Sequence, residues 1–142
     1  MIEIREFGRA DVPEMVAIQE RITKRGVPQT WTRMVESHLE ESHAFGFVAV
    51  RDGRIVGFVI GEVKGEGFGL PQSGWIEVVG VDPQAMGQGI GKAMIDKLFD
   101  AFRRSGIANV YTTVRWDSAD MLSFFKSIGF GRSDFINLTR PL

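Results

Sequence analysis

Glycine stands at every second position in Gly87, Gly89 and Gly91, after the apolar run Val78, Val79, Gly80 and Val81 and at the head of an amphipathic run. Alternating residues without Cβ atoms free φ and let successive backbone N–H groups turn toward one concave side. The amphipathic run opens on Ile90, Gly91 and Lys92, which adds the unpaired donors of a helix's first turn and the positive end of its dipole. Such a row of donors suits a phosphate or pyrophosphate, with Gly87, Gln88, Gly89, Ile90, Gly91 and Lys92 as candidate binding residues. One acid, Glu77, interrupts the apolar strand that leads into this loop. A carboxylate at a cleft accepts a proton directly or through water, and burial strengthens its hold on that proton. Simple alternation places Glu77 on one face with Trp75, Val79 and Val81. The other reading of Glu77 is an acid at the wet end of the strand, paired with lysine or arginine.

Spacing excludes two phosphate loops. The pattern G-x-x-x-x-G-K-[ST] ending on Gly91 and Lys92 needs glycine where Met86 stands and a hydroxyl where Ala93 stands. The dinucleotide pattern G-x-G-x-x-G, started at Gly87 or Gly89, needs its third glycine at Lys92 or Met94. Cysteine is absent, which removes disulfides, thiolate metal sites and a cysteine nucleophile. His38 and His43 lie in a polar stretch at a poor metal spacing and read as solvated side chains, so no metal is expected. A net charge of −1 gives no basic field for nucleic acid. No apolar run approaches the roughly 20 residues of a membrane helix. The opening residues alternate apolar and charged side chains instead of forming a signal peptide, so the expected location is cytoplasmic. At 142 residues the chain reads as a single domain, residues 1–142.

The elements that must hold the loop follow from periodicity. Ile2, Ile4 and Phe7 alternate as in a half-buried strand. Asp11 is placed to cap a helix with Pro13 in its first turn and Glu14 three residues on, with Met15, Ile18 and Ile22 inward and Gly26 and Pro28 ending it. A second helix starts at Thr30 or Thr32 and carries Met34, Val35 and Leu39. Residues 45–50 form a strand, Asp52-Gly53 a two-residue hairpin turn, and residues 54–63 the returning strand. Residues 64–74 read as an exposed loop, and residues 75–81 as a strand buried on both faces. Mid-strand Gly80 marks a bulge or close backbone approach, or else tight packing under a helix. Ile90, Met94, Leu98 and Phe102 define a helix closed by Gly106. Val110, Thr112 and Val114 form the next strand, and Asp117 or Ser118 caps a helix through Phe125 to Gly129. Residues 135–139 form a last strand, with room for another near Phe130. The strand–helix–strand unit over residues 75–116 forces a parallel pair, whereas the hairpins before it are antiparallel. The fold class is therefore α/β with a mixed sheet, in the order β-α-α-β-β-β-α-β-α-β. Ligands of such sheets bind beyond the carboxyl ends of parallel strands, where the glycine loop lies.

Val81-Asp82-Pro83, the loop Met86-Gly87-Gln88-Gly89-Ile90-Gly91 and the run Phe124-Phe125-Lys126-Ser127-Ile128-Gly129-Phe130 together resemble the GNAT superfamily of N-acetyltransferases over nearly the whole chain. Its loop reads Arg/Gln-x-x-Gly-x-Gly/Ala, so Met86 departs at the first position. The resemblance implies a GNAT-type fold, acetyl-coenzyme A as cosubstrate, and direct acetyl transfer to a primary amine of a small molecule or peptide. It implies that Val79, Gly80 and Val81 hold the pantetheine arm through their main chain, with a backbone N–H facing the developing oxyanion. Glu77 is the candidate base. Ser118 matches the family's cofactor-contacting asparagine, and Phe125 takes the place of the tyrosine that serves as general acid, as a cofactor contact and core residue. Family members that acetylate ribosomal-protein N-termini carry glutamate where Thr113 stands, which counts against that assignment. Trp31, Trp116 and residues 65–74 are candidates for the acceptor channel. A homodimer is a further expectation from the family. The alternative is a module of the same fold that binds acyl-coenzyme A as a sensor, without turnover.

Overall fold

The computed structural model describes residues 1–65 and 69–142. The chain forms two compact units, Met1–Thr112 and Thr113–Leu142.

The first unit is built on a five-stranded sheet of β1 (Glu3–Glu6), β2 (Ala44–Arg51), β3 (Arg54–Lys64), β4 (Ser73–Val81) and β5 (Val110–Thr112), in that spatial order. Neighbours are antiparallel as far as β4, and β4 pairs with β5 in parallel. Helices α1 (Val12–Thr23) and α2 (Gln29–His38) follow β1, and α3 (Ile90–Arg104) makes the crossover from β4 to β5. The turn between β2 and β3 holds Asp52 at φ 53 and Gly53 at φ 74, the left-handed pair that a two-residue hairpin requires.

Each face of the sheet carries its own helices. A Cβ on Gly57 would meet Met94, one on Gly61 would meet Leu98 and Phe102, and one on Gly74 would meet Phe102. These strand glycines therefore let α3 settle close against β3 and β4. On the opposite face Phe7, Val12, Met15, Ile18, Val35, Val48, Ile55, Phe58 and Ile60 form a continuous core under α1 and α2. A Cβ on Gly80 would stand 2.6 Å from Phe58 and 3.0 Å from Ile22, the tight packing under a helix that one reading of Gly80 expects, and the β4 bulge lies not at Gly80 but between Ile76 and Val78.

The second unit contains α4 (Ala119–Ser127). Its Phe125 is buried, with edge-on ring contacts to Phe124 at 5.2 Å and Phe130 at 5.1 Å.

Several expectations are corrected. Asp11 does precede α1 but its side chain does not cap it: the carboxylate accepts from Arg5 and from the Gly8 N–H, closing the turn before the helix. Glu14 accepts the Ile55 N–H instead of completing a capping box. Helix α1 ends at Thr23, before Gly26, because Lys24 itself adopts φ 60. Ile22 is partly exposed. Pro28, not a threonine, is the N-cap of α2. Strand β4 begins at Ser73, inside the expected loop, where the Ser73 hydroxyl donates to the Pro71 carbonyl at 2.9 Å. The rest of that loop falls partly on residues 66–68, outside the described residues. Strand β4 is not buried on both faces, since Glu77 is exposed and Trp75, Val79 and Val81 are half-buried. Strand β5 stops at Thr112, short of Val114. No strand forms at residues 135–139 or near Phe130. Ser133 bonds locally to Phe135, and Ile136 and Leu138 are exposed, so their alternation has no ladder to join.

Gly61 supplies a test of the α3 interface. Its Cβ would lie 2.8 Å from the side-chain tips of Leu98 and Phe102, both fully buried, so these must shift within a packed interface. Gly61→Ala is expected to cost about 1–3 kcal/mol of stability in urea unfolding, and an unchanged midpoint would contradict the close packing.

Candidate functional site

The end of β4 is fixed before the glycine loop begins. The Asp82 N–H donates to the Val56 carbonyl at 2.8 Å, and the Asp82 carbonyl accepts from the Ala85 N–H at 2.8 Å. The Asp82 carboxylate accepts the Gln84 N–H at 3.0 Å and Arg21 Nη2 of α1 at 2.8 Å. It thereby caps a short 3-10 turn, Pro83–Ala85, whose Ala85 is buried. Burial acts most strongly on Asp82 and pushes its pKa up. The Gln84 N–H, the Arg21 hydrogen bond and the charges of Arg21 and Arg54 together outweigh it and hold the carboxyl below its ordinary value.

Beyond this anchor the chain is open. Gly87 has φ 80 and Gly89 φ 78, and nothing lies within 4 Å of a Cβ built on either. Gly89 is the N-cap of α3 and brings no side chain to cap it. The first backbone bond of the helix runs from the Ala93 N–H to the Gly89 carbonyl. Among the described residues, the N–H groups of residues 87–92 meet no protein acceptor. Ile90 is buried and anchors the helix start, while Met86 is 64% exposed and turned away from the interior. The departure from pattern at Met86 thus leaves the backbone donors in place. An arginine that the sequence reading missed also reaches the loop: Arg51 Nη1 donates to Gln88 Oε1. The available signal was its place next to the Asp52-Gly53 turn, which brings the end of β2 back toward the β4 terminus.

Strand β5 pairs only with Gly74, Trp75 and Ile76 of β4. On that side Val79, Gly80 and Val81 have no ladder partner among the described residues. Only residues 82–86, with their short 3-10 turn, separate this edge from the loop, so the parts expected to hold a pantetheine arm and a diphosphate lie close along the chain. Ser118 is the N-cap of α4 in the second unit, and its hydroxyl makes no capping bond. Phe125 lies on the same helix, in the aromatic cluster described above.

Glu77 is where the alternation argument fails. The register passes from Ile60 opposite Val78 to Gly61 opposite Ile76, so Glu77 is the extra residue of a β-bulge. Trp75 and Gly80 face the α1–α2 side, through their pairing with Glu62 and Phe58, whereas Val79 and Val81 share the α3 side with Gly57 and Gly61. Glu77 pairs with Lys64 Nζ, which lies 5.7 Å from the centre of the Trp75 ring. It therefore shares a face with Trp75 and not with Val79 or Val81, and it is solvent-accessible, not buried. Trp75 also stacks on Tyr111 of β5, with centroids 5.0 Å apart.

The remaining candidates divide. Trp31 lines a cavity between α1 and α2 and meets Phe58 edge-on at 5.8 Å, whereas Trp116 is 87% exposed in the second unit. His38 is not solvated: its Nδ1 lies 2.7 Å from the Met34 carbonyl and its Nε2 3.6 Å from Glu62. Among the described residues no cluster of three or more His, Asp or Glu side chains could hold a metal, and no helix is long and apolar enough to cross a membrane.

Known proteins share this fold. Residues 12–130 match the acetyltransferase (GNAT) family. An L-2,4-diaminobutyric acid acetyltransferase of Nocardia farcinica is 36% identical over 81 residues, 57% of this chain and 40% of that protein. The [ribosomal protein bS18]-alanine N-acetyltransferase of Escherichia coli is 23% identical over 133 residues, 94% of this chain and 83% of that protein. The solved structure of AAC(6')-Iy with the bisubstrate analog CoA-S-monomethyl-acetylneamine superposes with a TM-score of 0.85 at 16% identity, covering 100% of this chain and 99% of the other. The chain thus spans less than half of the Nocardia relative and most of the Escherichia one. It belongs to the acetyltransferase (GNAT) family.

Two outcomes follow for the loop. Gly89→Ala forces a Cβ into a left-handed residue, at a cost of about 1–2 kcal/mol, and is expected to weaken coenzyme A binding about tenfold in calorimetry. Unchanged affinity would dissociate the loop from binding. Because Asp82 titrates lower in the folded chain than unfolded, its contribution to stability is present above the unfolded value and lost as pH falls through the folded one. The urea-midpoint gap between the natural chain and Asp82→Asn should therefore shrink from about pH 6 to about pH 3. A gap that stays constant would refute the role of the charge.

Proposed function

We propose that this family member transfers an acetyl group from acetyl-coenzyme A to a primary amine of a small molecule or peptide, by direct attack of the amine on the thioester. The observation that carries this reading is the run of acceptor-free amides at residues 87–92, delivered by a strand whose next edge is open. A diphosphate is the chemistry such a donor set fits. The relatives named above act, by their names, on an amino acid and on a protein alanine, both amine acceptors.

Each residue has a task in this reading. Gly87, Gln88, Gly89, Ile90, Gly91 and Lys92 hold the diphosphate through their main chain, with the dipole of α3 behind them. Val79, Gly80 and Val81 line the pantetheine arm, and a β4 N–H receives the oxyanion that forms at the thioester carbonyl. Acetyl-coenzyme A supplies the activated acyl group. Glu77, paired with Lys64 on the acceptor face, takes the proton that the ammonium must lose before it attacks. Ser118 and Phe125 add contacts to the cofactor arm. Phe125 has no proton to donate, and a thiol of pKa ~8.5 leaves without a protein acid. The reading takes residues 1–142 as one catalytic domain acting in the cytoplasm, as a monomer or homodimer, and calls for no metal, nucleic acid or membrane.

A second reading, a module that binds acyl-coenzyme A without turnover, is favoured by the engagement of Glu77 with Lys64 and by Phe125 at the acid position. Thiol release separates the two. Acetyl-coenzyme A with pooled amines and N-terminal peptides should yield free thiol, and Glu77→Gln should lower kcat by about 100-fold with little change in coenzyme A affinity. Tight cofactor binding with no thiol release across the panel would select the sensor. Full turnover in Glu77→Gln would remove Glu77 from the chemistry.

A further inference from the structure

The two arginines that flank the β2–β3 turn stand directly opposite each other, Arg51 on β2 and Arg54 on β3. Like charges in that position repel and cost stability. A nearby carboxylate would relieve the repulsion, yet neither arginine forms an ion pair among the described residues. Other cations around the glycine loop are neutralised: Arg21 pairs with Asp82 and Lys92 with Asp96, each at 2.8 Å.

Both arginines face the side of the sheet on which α3 begins. Val50 and Ile55, the next pair along the ladder, pack into the core under α1 and α2, so Arg51 and Arg54 project from the opposite face. Arg51 Nη1 donates to Gln88 Oε1, inside the loop whose N–H groups meet no acceptor among the described residues. Gln88 is neutral, so this bond positions the guanidinium without cancelling its charge. Arg54 is near enough to the β4 terminus for its charge to help hold the Asp82 carboxyl below its ordinary value. Uncompensated positive charge and a row of free amide donors thus meet at one end of the sheet. The loop itself opens on exposed Met86, where the family pattern has arginine or glutamine.

We propose that Arg51 is a phosphate ligand for coenzyme A, with Arg54 reinforcing the positive field beside it, so that the β2–β3 hairpin supplies the cation that the loop lacks at Met86. A guanidinium offers a planar fork matched to phosphate oxygens, and the pairing is charge-assisted. Backbone amides fix where an anion sits but bring no net charge, and the arginine answers that charge. Coenzyme A carries a diphosphate and a 3′-phosphate, and either presents this chemistry. The assignment rests on the cofactor half of the transferase reading above and is independent of Glu77 and of the acceptor.

The test is calorimetry of the whole chain with coenzyme A and with 3′-dephospho-coenzyme A. Arg51→Gln keeps a neutral hydrogen-bond donor, whereas Arg51→Lys keeps the charge. Arg51→Gln should weaken coenzyme A binding about tenfold or more, and Arg51→Lys should retain most of the affinity. Affinity should also fall less steeply with added salt in Arg51→Gln than in the natural chain, a response that a merely structural role would not alter. Removing one of two opposed charges should leave the melting temperature of the unliganded chain unchanged or raise it. A loss confined to coenzyme A would uphold Arg51 as a ligand of the 3′-phosphate, and an equal loss with the dephospho form would uphold it as a ligand of the diphosphate. Natural affinity and salt dependence in Arg51→Gln, or weaker binding together with a lower melting temperature, would overturn the assignment. Arg51-dependent binding without thiol release would uphold Arg51 and defeat the transferase reading. Thiol release with an unchanged KM for acetyl-coenzyme A in Arg51→Gln would do the reverse, and a natural chain that binds no coenzyme A would overturn both.

Discussion

Backbone N–H groups seldom go without an acceptor, and here a consecutive set at residues 87–92 has none within the described protein. That condition is the one on which the site depends. Gly87 and Gly89 reach left-handed φ with no Cβ penalty, and as the N-cap of α3 Gly89 contributes no oxygen. A serine or aspartate N-cap in its usual extended conformation would instead occupy one of the first-turn donors with its side-chain oxygen. An anion can supply the acceptor that the protein does not.

A donor row is useful only if it is held still. The Asp82 carboxylate ties the β4 terminus to α1 through Arg21 and to the turn through Gln84, and buried Ile90 fixes the far side. The short pairing of β5 then leaves residues 79–81 of β4 without a ladder partner on that side among the described residues. The bulge also sorts the side chains of β4. It sends Glu77 to the face of α1 and α2 while Val79 and Val81 turn to the face of α3.

The element order as far as β5, the crossover and the glycine loop could be read from the sequence, because each rests on local rules: period two, period near four, and glycine where φ must be positive. What escaped has nonlocal causes. The bulge at Glu77 is a matter of register between β3 and β4, and no single-strand pattern carries it. Lys64 as partner of Glu77, Arg51 on Gln88 and Arg21 on Asp82 join residues far apart in sequence. The Asp11 capping box failed because Arg5 and Gly8 competed for the same carboxylate. The strand expected at residues 135–139 failed because alternation describes a face and does not supply a neighbour to pair with.

The most direct measurement is the amide spectrum of the 15N-labelled chain titrated with coenzyme A. Large shifts should appear at the N–H groups of residues 87–92, with weaker ones along Val79, Gly80 and Val81. Saturable binding that leaves residues 87–92 unmoved while other amides shift would contradict the account.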